Sequence, residues 1–266
     1  MDQISNICLE FDLSLCQYPS RMADRNLIKK LQVTTPRGAP LDSQKLESLG
    51  VSRALAHEYV KAGWLEKLGR GVFMFAGDQL SRDACVKYLE TKIPGLHVAA
   101  KSALALHGFR QNVAFQETII LWGCERVILP EWFQVRFPSR YSNSPLFDEG
   151  LPSGHGLAQL PESPNGPLVS SPARALLEML SEIDVHQELD EARAIMESVR
   201  QLRSRHLQVL LTHCRMVKAV RLCVGWATEL DLPWAAQARD AAANNMGTGR
   251  WVARFKTGRT LILNPS

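Results

Sequence analysis

The sequence lacks the features that would mark a secreted, membrane-spanning or zinc-binding protein. No apolar run approaches the roughly 18 residues that a membrane-spanning helix needs. The N-terminus, "MDQISNICLEFDLSLC", carries acidic residues where a secretory signal would have a basic cluster, so we expect a cytoplasmic protein. There is no CxxC pair and no histidine spacing typical of zinc. We therefore expect reduced, mostly buried thiols at all six cysteines: Cys8, Cys16, Cys85, Cys124, Cys214 and Cys223.

Motifs of the common enzyme classes are also missing. No GxxxxGK[ST], GxGxxG, HExxH or GxSxG occurs. A restriction-type nuclease would need an Asp/Glu-x-Lys triplet, but "ERV" and "EWF", which follow Glu117, have no lysine in the third position. "LPSGHG" is not followed by the paired aspartates of a nucleotidyltransferase. We therefore predict no catalytic residues, no cofactor and no metal. A metal-dependent enzyme is the weakest of the alternatives.

Histidines and serines are close in sequence at two places in the second half of the chain. His97 and His107 lie near Ser102, and His155 lies near Ser153. Such proximity arises often by chance, and a catalytic role would also require a base and an orienting group. We expect these residues to cap helices or to pack.

Positive charge is concentrated in one fifth of the chain. Residues 20–72 hold ten Lys/Arg against five Asp/Glu, whereas the whole chain has a net charge of only +4. The remainder is therefore slightly acidic. A local excess of cations of this kind is typical of a surface that binds a polyanion.

Three short helices are predicted in this basic stretch. Residues 20–32 have the apolar spacing of a helix, which "TTPRGAP" interrupts. A second helix is predicted over 42–50. Ser52 is suited to cap a third helix over 53–62, and Gly63 is suited to end it.

A tight hairpin is predicted directly after the third helix. Residues 64–68 and 72–75 are apolar-rich and β-prone, and the "GRG" between them supplies the reversal. Gly69 and Gly71 would allow positive φ and keep bulk away from a bound duplex. Helices followed by such a hairpin are typical of a winged helix-turn-helix.

The third helix has a basic and an apolar side. At about 100° per residue, Arg53, His57 and Lys61 fall in one sector. The opposite side holds Leu55, Tyr59 and Ala62. Basic and polar side chains on an exposed helix face are suited to the phosphates and base edges of a major groove.

We predict DNA contact by Ser52, Arg53, His57, Lys61, Lys67 and Arg70, with Arg37 as a candidate backbone clamp. A winged helix that contacts protein, with its charges merely solvated, is the alternative.

These residues resemble a known family. "LGVSRALAHEYVKAGWLEKLGRGVFMF" is similar to the N-terminal domain of the AbiEi antitoxins of type IV toxin–antitoxin systems. The family pattern matches at Ser52, Tyr59, Lys61, Gly63, Trp64, Leu65, Gly69, Arg70, Gly71 and Val72, and Phe73 stands where tyrosine is common. "HVAAKSALALHGF" and "LVSSPARALLEML" resemble later parts of the family, so the resemblance covers about residues 20–185.

The resemblance implies a bacterial protein with two tasks. The winged helix would bind inverted repeats in its own promoter and repress transcription. The second domain would counter a co-encoded nucleotidyltransferase-like toxin, without necessarily forming a stable complex with it, in phage defence by abortive infection. The alternative is a winged-helix regulator whose second domain senses a small molecule.

The rest of the chain predicts a mixed helix and sheet domain, so the fold class is α+β. We expect an N-terminal extension over 1–19, the winged helix over 20–78 and the second domain over 79–266. In the second domain, strands are predicted at "ETIILWG" and "FQVRFP", and helices at "HVAAKSALALHGF", at "PARALLEMLSEI" and through most of 186–227. A closing hairpin is predicted around Thr257-Gly258.

A second basic strip is predicted late in the chain. Residues 200–221 contain no acid, and in 215–224 the cations alternate with apolar positions at helical spacing. The strip consists of Arg215, Lys218 and Arg221. It is either a second contact face, for DNA, the toxin or its tRNA target, or a solvated helix surface.

Overall fold

The computed structural model describes residues 21–110, 118–254 and 260–263. The N-terminal part contains three helices and a small sheet: α1 (Arg21–Thr34), β1 (Leu41–Asp42), α2 (Ser43–Ser48), α3 (Arg53–Lys61), β2 (Leu65–Gly69) and β3 (Val72–Phe75). The strands form an antiparallel sheet in the order β1-β3-β2. This is a winged helix-turn-helix, as predicted.

Local capping explains why α2 and α3 begin and end where they do. Asp42 Oδ1 accepts a hydrogen bond from Lys45 N at 2.7 Å, and Ser52 Oγ accepts one from Leu55 N at 3.2 Å. Gly63 follows α3 with φ +74°, a conformation that favours glycine. The predicted cap of α1, Ser20, lies outside the described residues.

Two details of the winged helix differ from the sequence prediction. Only Gly71, with φ +70°, has a positive φ in the hairpin turn, so Gly69 must be glycine for another reason. In α3 the buried residues are Ala56 and Tyr59, whereas Ala62 is exposed because it caps the end of the helix.

The C-terminal part is built from helices around a five-stranded sheet of order β6-β5-β4-β8-β7. Its elements are α4 (Arg82–Glu90), β4 (His97–Val98), α5 (Ala100–Leu106), β5 (Ile119–Trp122), α6 (Glu131–Gln134), β6 (Ser139–Ser142), β7 (Leu157–Ala158), β8 (Val169–Ser170), α7 (Pro172–Ser181), α8 (Leu189–Ser198), α9 (Ser204–His213), α10 (Val217–Glu229), α11 (Ala235–Ala242), β9 (Trp251–Arg254) and β10 (Thr260–Leu263). The α+β class is confirmed.

Three local predictions for this part need correction. "FQVRFP" is not a strand, because Pro130 starts the one-turn helix α6 and the strand follows at Ser139–Ser142. The predicted helix at 97–109 is preceded by the short strand β4, and α11 was not anticipated. The closing hairpin is present as β9 and β10, but its turn lies outside the described residues.

Two hydrophobic clusters hold the chain together. The smaller one joins the three helices of the winged helix to its sheet, through residues such as Leu31, Leu46 and Phe75. The larger one runs from Cys85 to Ala242 and has α7 at its centre, whose residues are almost all buried. The predicted domain boundary between residues 78 and 79 lies between these clusters and stays a prediction. Within the described residues, no helix combines the length and apolarity needed to cross a membrane.

The larger cluster encloses a charged network centred on Glu178. Its carboxylate accepts hydrogen bonds from Ser170 Oγ, from Ala100 N at 3.1 Å and from Arg174 Nε at 2.9 Å, and it contacts His97 Nε2 at 3.1 Å. Burial alone would raise the pKa of Glu178, but His97, Arg174 and the Ala100 N–H together hold it below its ordinary value.

Three of the histidines and serines singled out in the sequence form hydrogen bonds that join parts of the fold. Ser153 is exposed, and the buried Nε2 of His155 has no hydrogen-bond partner among the described residues. His97 Nδ1 donates to Gly95 O at 2.7 Å, because a carbonyl can only accept. His107 Nε2 bonds to Ser170 O at 2.9 Å, and Ser102 Oγ accepts from Ile120 N at 2.9 Å. The bonds of Ser102 and His107 thus join α5 and its C-terminal cap to β5 and β8, whereas that of His97 Nδ1 stays within the segment that leads into β4.

The four described cysteines are free thiols. Cys85, Cys214 and Cys223 are buried, and burial raises the pKa of Cys85 to about 12 and that of Cys214 to about 11. Cys124 is exposed, contrary to the general expectation, and Cys8 and Cys16 lie outside the described residues.

Candidate nucleic-acid interface

The exposed side of α3 carries the three predicted cationic and polar residues. Arg53, His57 and Lys61 are all exposed, while Tyr59 on the opposite side is buried. The Ser52 cap fixes the start of α3, and the packing of Tyr59 and Ala56 fixes its rotation. The sequence therefore folds so that one face of α3 is held in the core and the other is presented to solvent.

A groove lies between α3 and the hairpin that follows it. Its volume is about 520 Å³, and its walls come from α2, α3 and both strands of the hairpin. Four of the predicted site residues line it: Arg53, His57, Lys67 and Arg70. Ser43 and Gly71 line it as well. Residues from two separate elements thus converge on one open, cation-lined surface.

The hairpin contributes two exposed cations, Lys67 and Arg70. Lys67 lies opposite Phe73 in the β2–β3 ladder, and Arg70 occupies the turn. Both side chains are exposed, and neither forms an ion pair with any residue that the structure describes. Their full charge is therefore directed to solvent or to a bound polyanion.

The cations of α3 are paired with carboxylates at the surface. Arg53 Nε lies 3.2 Å from Glu47 Oε1, and Lys61 Nζ lies 2.9 Å from Glu58 Oε1. The Arg53 and Lys61 side chains are nevertheless 82% and 74% exposed. Exposed ion pairs contribute only about 0–1 kcal/mol, so a phosphate can replace the carboxylate at little cost.

Three predicted contact residues lie outside the groove walls. Lys61 is at the last turn of α3, and Ser52 is exposed at its first turn with its hydroxyl oxygen engaged as the cap. Arg37 forms an ion pair with Asp78 and stacks 5.4 Å from the centre of the Phe75 ring. These contacts tie Arg37 to the start of the connection toward α4.

The second basic strip predicted around α10 is not a continuous surface. Arg221 is only 3% exposed, with Nε donating to Met246 O at 2.5 Å and Nη2 to Gly247 O at 3.0 Å. Lys218 is half-buried and donates to Ile183 O at 2.7 Å, and burial lowers its pKa. Arg215 is exposed but precedes the helix. Only Lys218 and Arg221 of the predicted strip therefore lie on α10, and both donate to other parts of the chain.

Sequence reasoning missed the residues that support the groove. Ser43 N and Ser43 Oγ both donate to Gly71 O, at 3.0 and 3.3 Å, which fixes the hairpin turn against α2. Glu47 lies one turn further along α2 and forms an ion pair with Arg53. The only available signal was the position of Ser43 directly after the Asp42 cap, and that pattern does not reveal a partner 28 residues away.

A second cavity lies in the C-terminal part, at the outer edge of the five-stranded sheet. It has a volume of about 470 Å³ and is lined mostly by apolar residues of β7 and the starts of α7 and α9. Polar groups at its wall come from His107, Arg203 and His206. Among the described residues, no group of three or more His, Cys, Asp or Glu is arranged to hold a metal ion.

The comparisons with known proteins agree with this architecture. Residues 24–115 match the family model of the AbiEi antitoxin N-terminal domain, a transcriptional regulator. Residues 116–261 match the model described as transcriptional regulator, AbiEi antitoxin, type IV toxin–antitoxin system. The first model thus extends beyond the predicted end of the winged helix.

A solved structure is similar in fold. The crystal structure of the Rv2827c protein from Mycobacterium tuberculosis superposes with a TM-score of 0.60 at 15% identity, over 90% of this chain and 86% of that one. At this identity the likeness concerns the fold alone. No curated protein matches the sequence. Because the two family models together span residues 24–261, the chain belongs to the AbiEi family, the transcriptional regulators and antitoxins of type IV toxin–antitoxin systems.

Proposed function

We propose that this protein binds duplex DNA through the groove between α3 and the β2–β3 hairpin and represses its own promoter. In this arrangement α3 enters the major groove, and the hairpin contacts the adjacent backbone or minor groove. The observation that carries the proposal is the convergence of Arg53, His57, Lys67 and Arg70 on one exposed surface. Phosphate contacts position such a module, and contacts to base edges give it specificity.

The charges assign different tasks to the two elements. Lys67 and Arg70 are suited to phosphates because no ion pair to a described residue must break first. Arg53 can form a bidentate contact to guanine, provided that it exchanges Glu47 for the base. We therefore assign anchoring to the hairpin and reading to α3, with inverted promoter repeats as the target.

Operator binding by single variants tests this proposal. Arg53→Ala should raise the Kd for promoter DNA by about tenfold or more and relax sequence preference, as expected for loss of a base contact of ~1–3 kcal/mol. Lys61→Ala should weaken binding equally on all sequences and reduce the slope of log K against log salt by about one. Arg193→Ala is the control, because Arg193 also sits in an exposed ion pair, with Glu229, but in the C-terminal part. Unchanged binding by both α3 variants would refute the assigned face.

We further propose that residues 79–266 counter a co-encoded nucleotidyltransferase-like toxin, with or without a stable complex. The support is membership of the antitoxin family. The test is co-expression of the toxin with the whole chain and with the chain divided near residue 80. Rescue of growth by the C-terminal half alone would place the antitoxin activity there. Loss of rescue by a folded C-terminal half would assign it to the whole chain.

A second candidate function is ligand sensing, and the cavity beside β7 favours it. Small-molecule sites are commonly about 300–1,000 Å³, mostly apolar, with a few polar groups. Leu202→Trp would fill this cavity from its wall. If the cavity binds an effector, the variant should repress even when the wild type is derepressed in cell extract. Identical responses of both proteins would leave the antitoxin function as the only candidate.

A further inference from the structure

The two faces of the β2–β3 hairpin contact different parts of the molecule. Side chains alternate across a strand, so that Lys67 and Phe73 face the groove and the smaller cluster. Leu68 and Val72 lie on the other face and pack against the larger, C-terminal cluster. The hairpin therefore packs against the helices of the winged helix on one face and against the C-terminal part on the other.

Gly69 lies close to Trp132 of the C-terminal part. A Cβ placed there would lie 3.3 Å from Trp132 Cδ1, which is tighter than an ordinary van der Waals contact. The φ of Gly69 is not positive, so the backbone conformation does not demand glycine. The β2–β3 ladder is irregular between Lys67 and Gly69, where the strand passes the indole. The limited space beside Trp132 therefore accounts for a glycine at position 69.

Trp132 is itself held firmly. It is 8% exposed, and its ring centre lies 6.2 Å from that of Tyr88 and 6.0 Å from that of Phe133, the latter edge-to-face. Arg136 Nη1 donates to Trp132 O at 3.0 Å. The indole thus has aromatic partners in Tyr88 and Phe133, which oppose its displacement by the hairpin.

A second connection links the same C-terminal region to α2. Lys92 Nζ lies 2.5 Å from Asp42 Oδ2, the cap of α2, and 3.4 Å from Gln44 Oε1. It also lies 5.7 Å from the ring centre of Tyr88, the neighbour of Trp132. Ser43 of α2 also donates to Gly71 O, so the turn contacts α2 on one side while Gly69 lies beside Trp132 on the other.

We propose that Trp132 positions the hairpin for DNA binding: the indole sets how far the β2–β3 hairpin stands from α3, and so where Lys67 and Arg70 meet the duplex. This inference depends on the DNA-binding function proposed above. Arg70 lines both the groove beside α3 and the groove beside α6, so a shift of the hairpin on Trp132 moves its guanidinium directly. Functional side chains must be held within about 0.5 Å of their working geometry, so a small displacement is enough to matter.

Size complementation across the contact tests the proposal in the full-length protein. Gly69→Val adds bulk against a fixed indole and should raise the Kd for promoter DNA by about tenfold, with a smaller salt slope as the Arg70 contact is lost. Trp132→Leu removes bulk and should weaken binding by a smaller factor. The double variant Gly69→Val/Trp132→Leu should bind better than Gly69→Val alone, because the shorter side chain makes room for the valine.

The controls separate positioning from unfolding. Far-UV circular dichroism and thermal unfolding should show that each variant is folded. Gly69→Ala should give a smaller loss of affinity in the same direction. Gly225→Ala, where an added Cβ meets no atom within 4 Å, should give none. If Trp132→Leu does not fold, Trp132→Phe replaces it in the cycle.

The outcomes are distinct. Strictly additive effects of the two substitutions, or unchanged affinity of Gly69→Val, would overturn the role of Trp132 while leaving DNA binding intact. A wild-type protein that binds no promoter DNA would overturn both proposals. Recovery of affinity in the double variant is the result that a merely structural tryptophan would not produce.

Discussion

Helices α3 and α10 present the same sequence pattern but use their cations in opposite ways. In α3, Arg53 and Lys61 are exposed and form ion pairs with neighbouring surface carboxylates. In α10, Arg221 is buried and Lys218 half-buried, and both donate to backbone carbonyls of other segments. The cations of α3 are therefore accessible from solvent, whereas those of α10 already bond to backbone carbonyls of the same chain.

The difference shows what helical spacing does and does not reveal. Spacing establishes which residues share a side of a helix. What covers that side depends on segments distant in sequence, here the turn at Met246 and Gly247 after α11. The cations of α3 should therefore govern binding with little effect on stability, and the buried charges of the C-terminal part should do the reverse.

The largest expected effect lies at the most deeply buried charge, Glu178. Glu178→Gln leaves Arg174 and His97 without their carboxylate, and breaking a buried pair in this way costs about 3–5 kcal/mol of the free energy of unfolding. Urea unfolding at pH 7 measures it. The matched control is Glu58→Gln, which removes an exposed carboxylate beside Lys61 and should change stability by less than about 0.5 kcal/mol.

The loss of stability in Glu178→Gln should depend on pH. Because the pKa of Glu178 is lowered in the folded state, its stabilisation is complete above the ordinary glutamate pKa of 4.5 and is lost as the pH falls toward the lower, folded value. The stability difference between wild type and Glu178→Gln should therefore narrow below about pH 4.5. A difference that stays constant down to pH 3 would contradict the charged network.

Arg221 provides the next test, because it is the buried counterpart of Arg53. Arg221→Leu removes charged donors from Met246 O and Gly247 O and should cost about 2 kcal/mol of the free energy of unfolding. Operator affinity should stay within about twofold of wild type. Arg215→Leu, at an exposed position, should leave stability unchanged. If Arg221→Leu folds but no longer binds the operator, the prediction that this strip contacts DNA would be supported after all.

Much of the winged helix could be predicted because local rules determine it. Ser52 caps α3, Gly63 ends it, and the glycine-rich turn reverses the hairpin, all within a few residues of one another. The convergence of α3 and the hairpin on one groove then follows from their adjacency in the chain. The caps and the reversal need no information from distant segments, whereas the contacts that Ser43 and Trp132 make with the hairpin do.

The sequence predictions failed where contacts with distant segments, or competing local signals, determine the structure. "FQVRFP" is β-prone, yet Pro130 and Glu131 start a helical turn that buries Trp132 and Phe133. The small residue at Gly69 was attributed to the turn and the duplex, whereas the structure places the Trp132 ring against it. Nothing in the local sequence indicates that ring, which lies more than 60 residues away.

The smallest expected effect concerns Glu47, which competes with DNA for Arg53. Glu47→Gln removes the charge but keeps the size of the side chain, so Arg53 is released without loss of packing. Because an exposed ion pair is worth less than about 1 kcal/mol, promoter affinity should rise by no more than about fivefold, with stability unchanged. Fluorescence anisotropy at low and high salt measures the gain, which should shrink as salt screens the pair.

In the background of Arg53→Ala the gain in affinity should disappear, apart from the small non-specific gain that comes from removing one negative charge. If Glu47→Gln weakened binding instead, Glu47 would be orienting Arg53 toward the base, and the pair would belong to the reading surface itself.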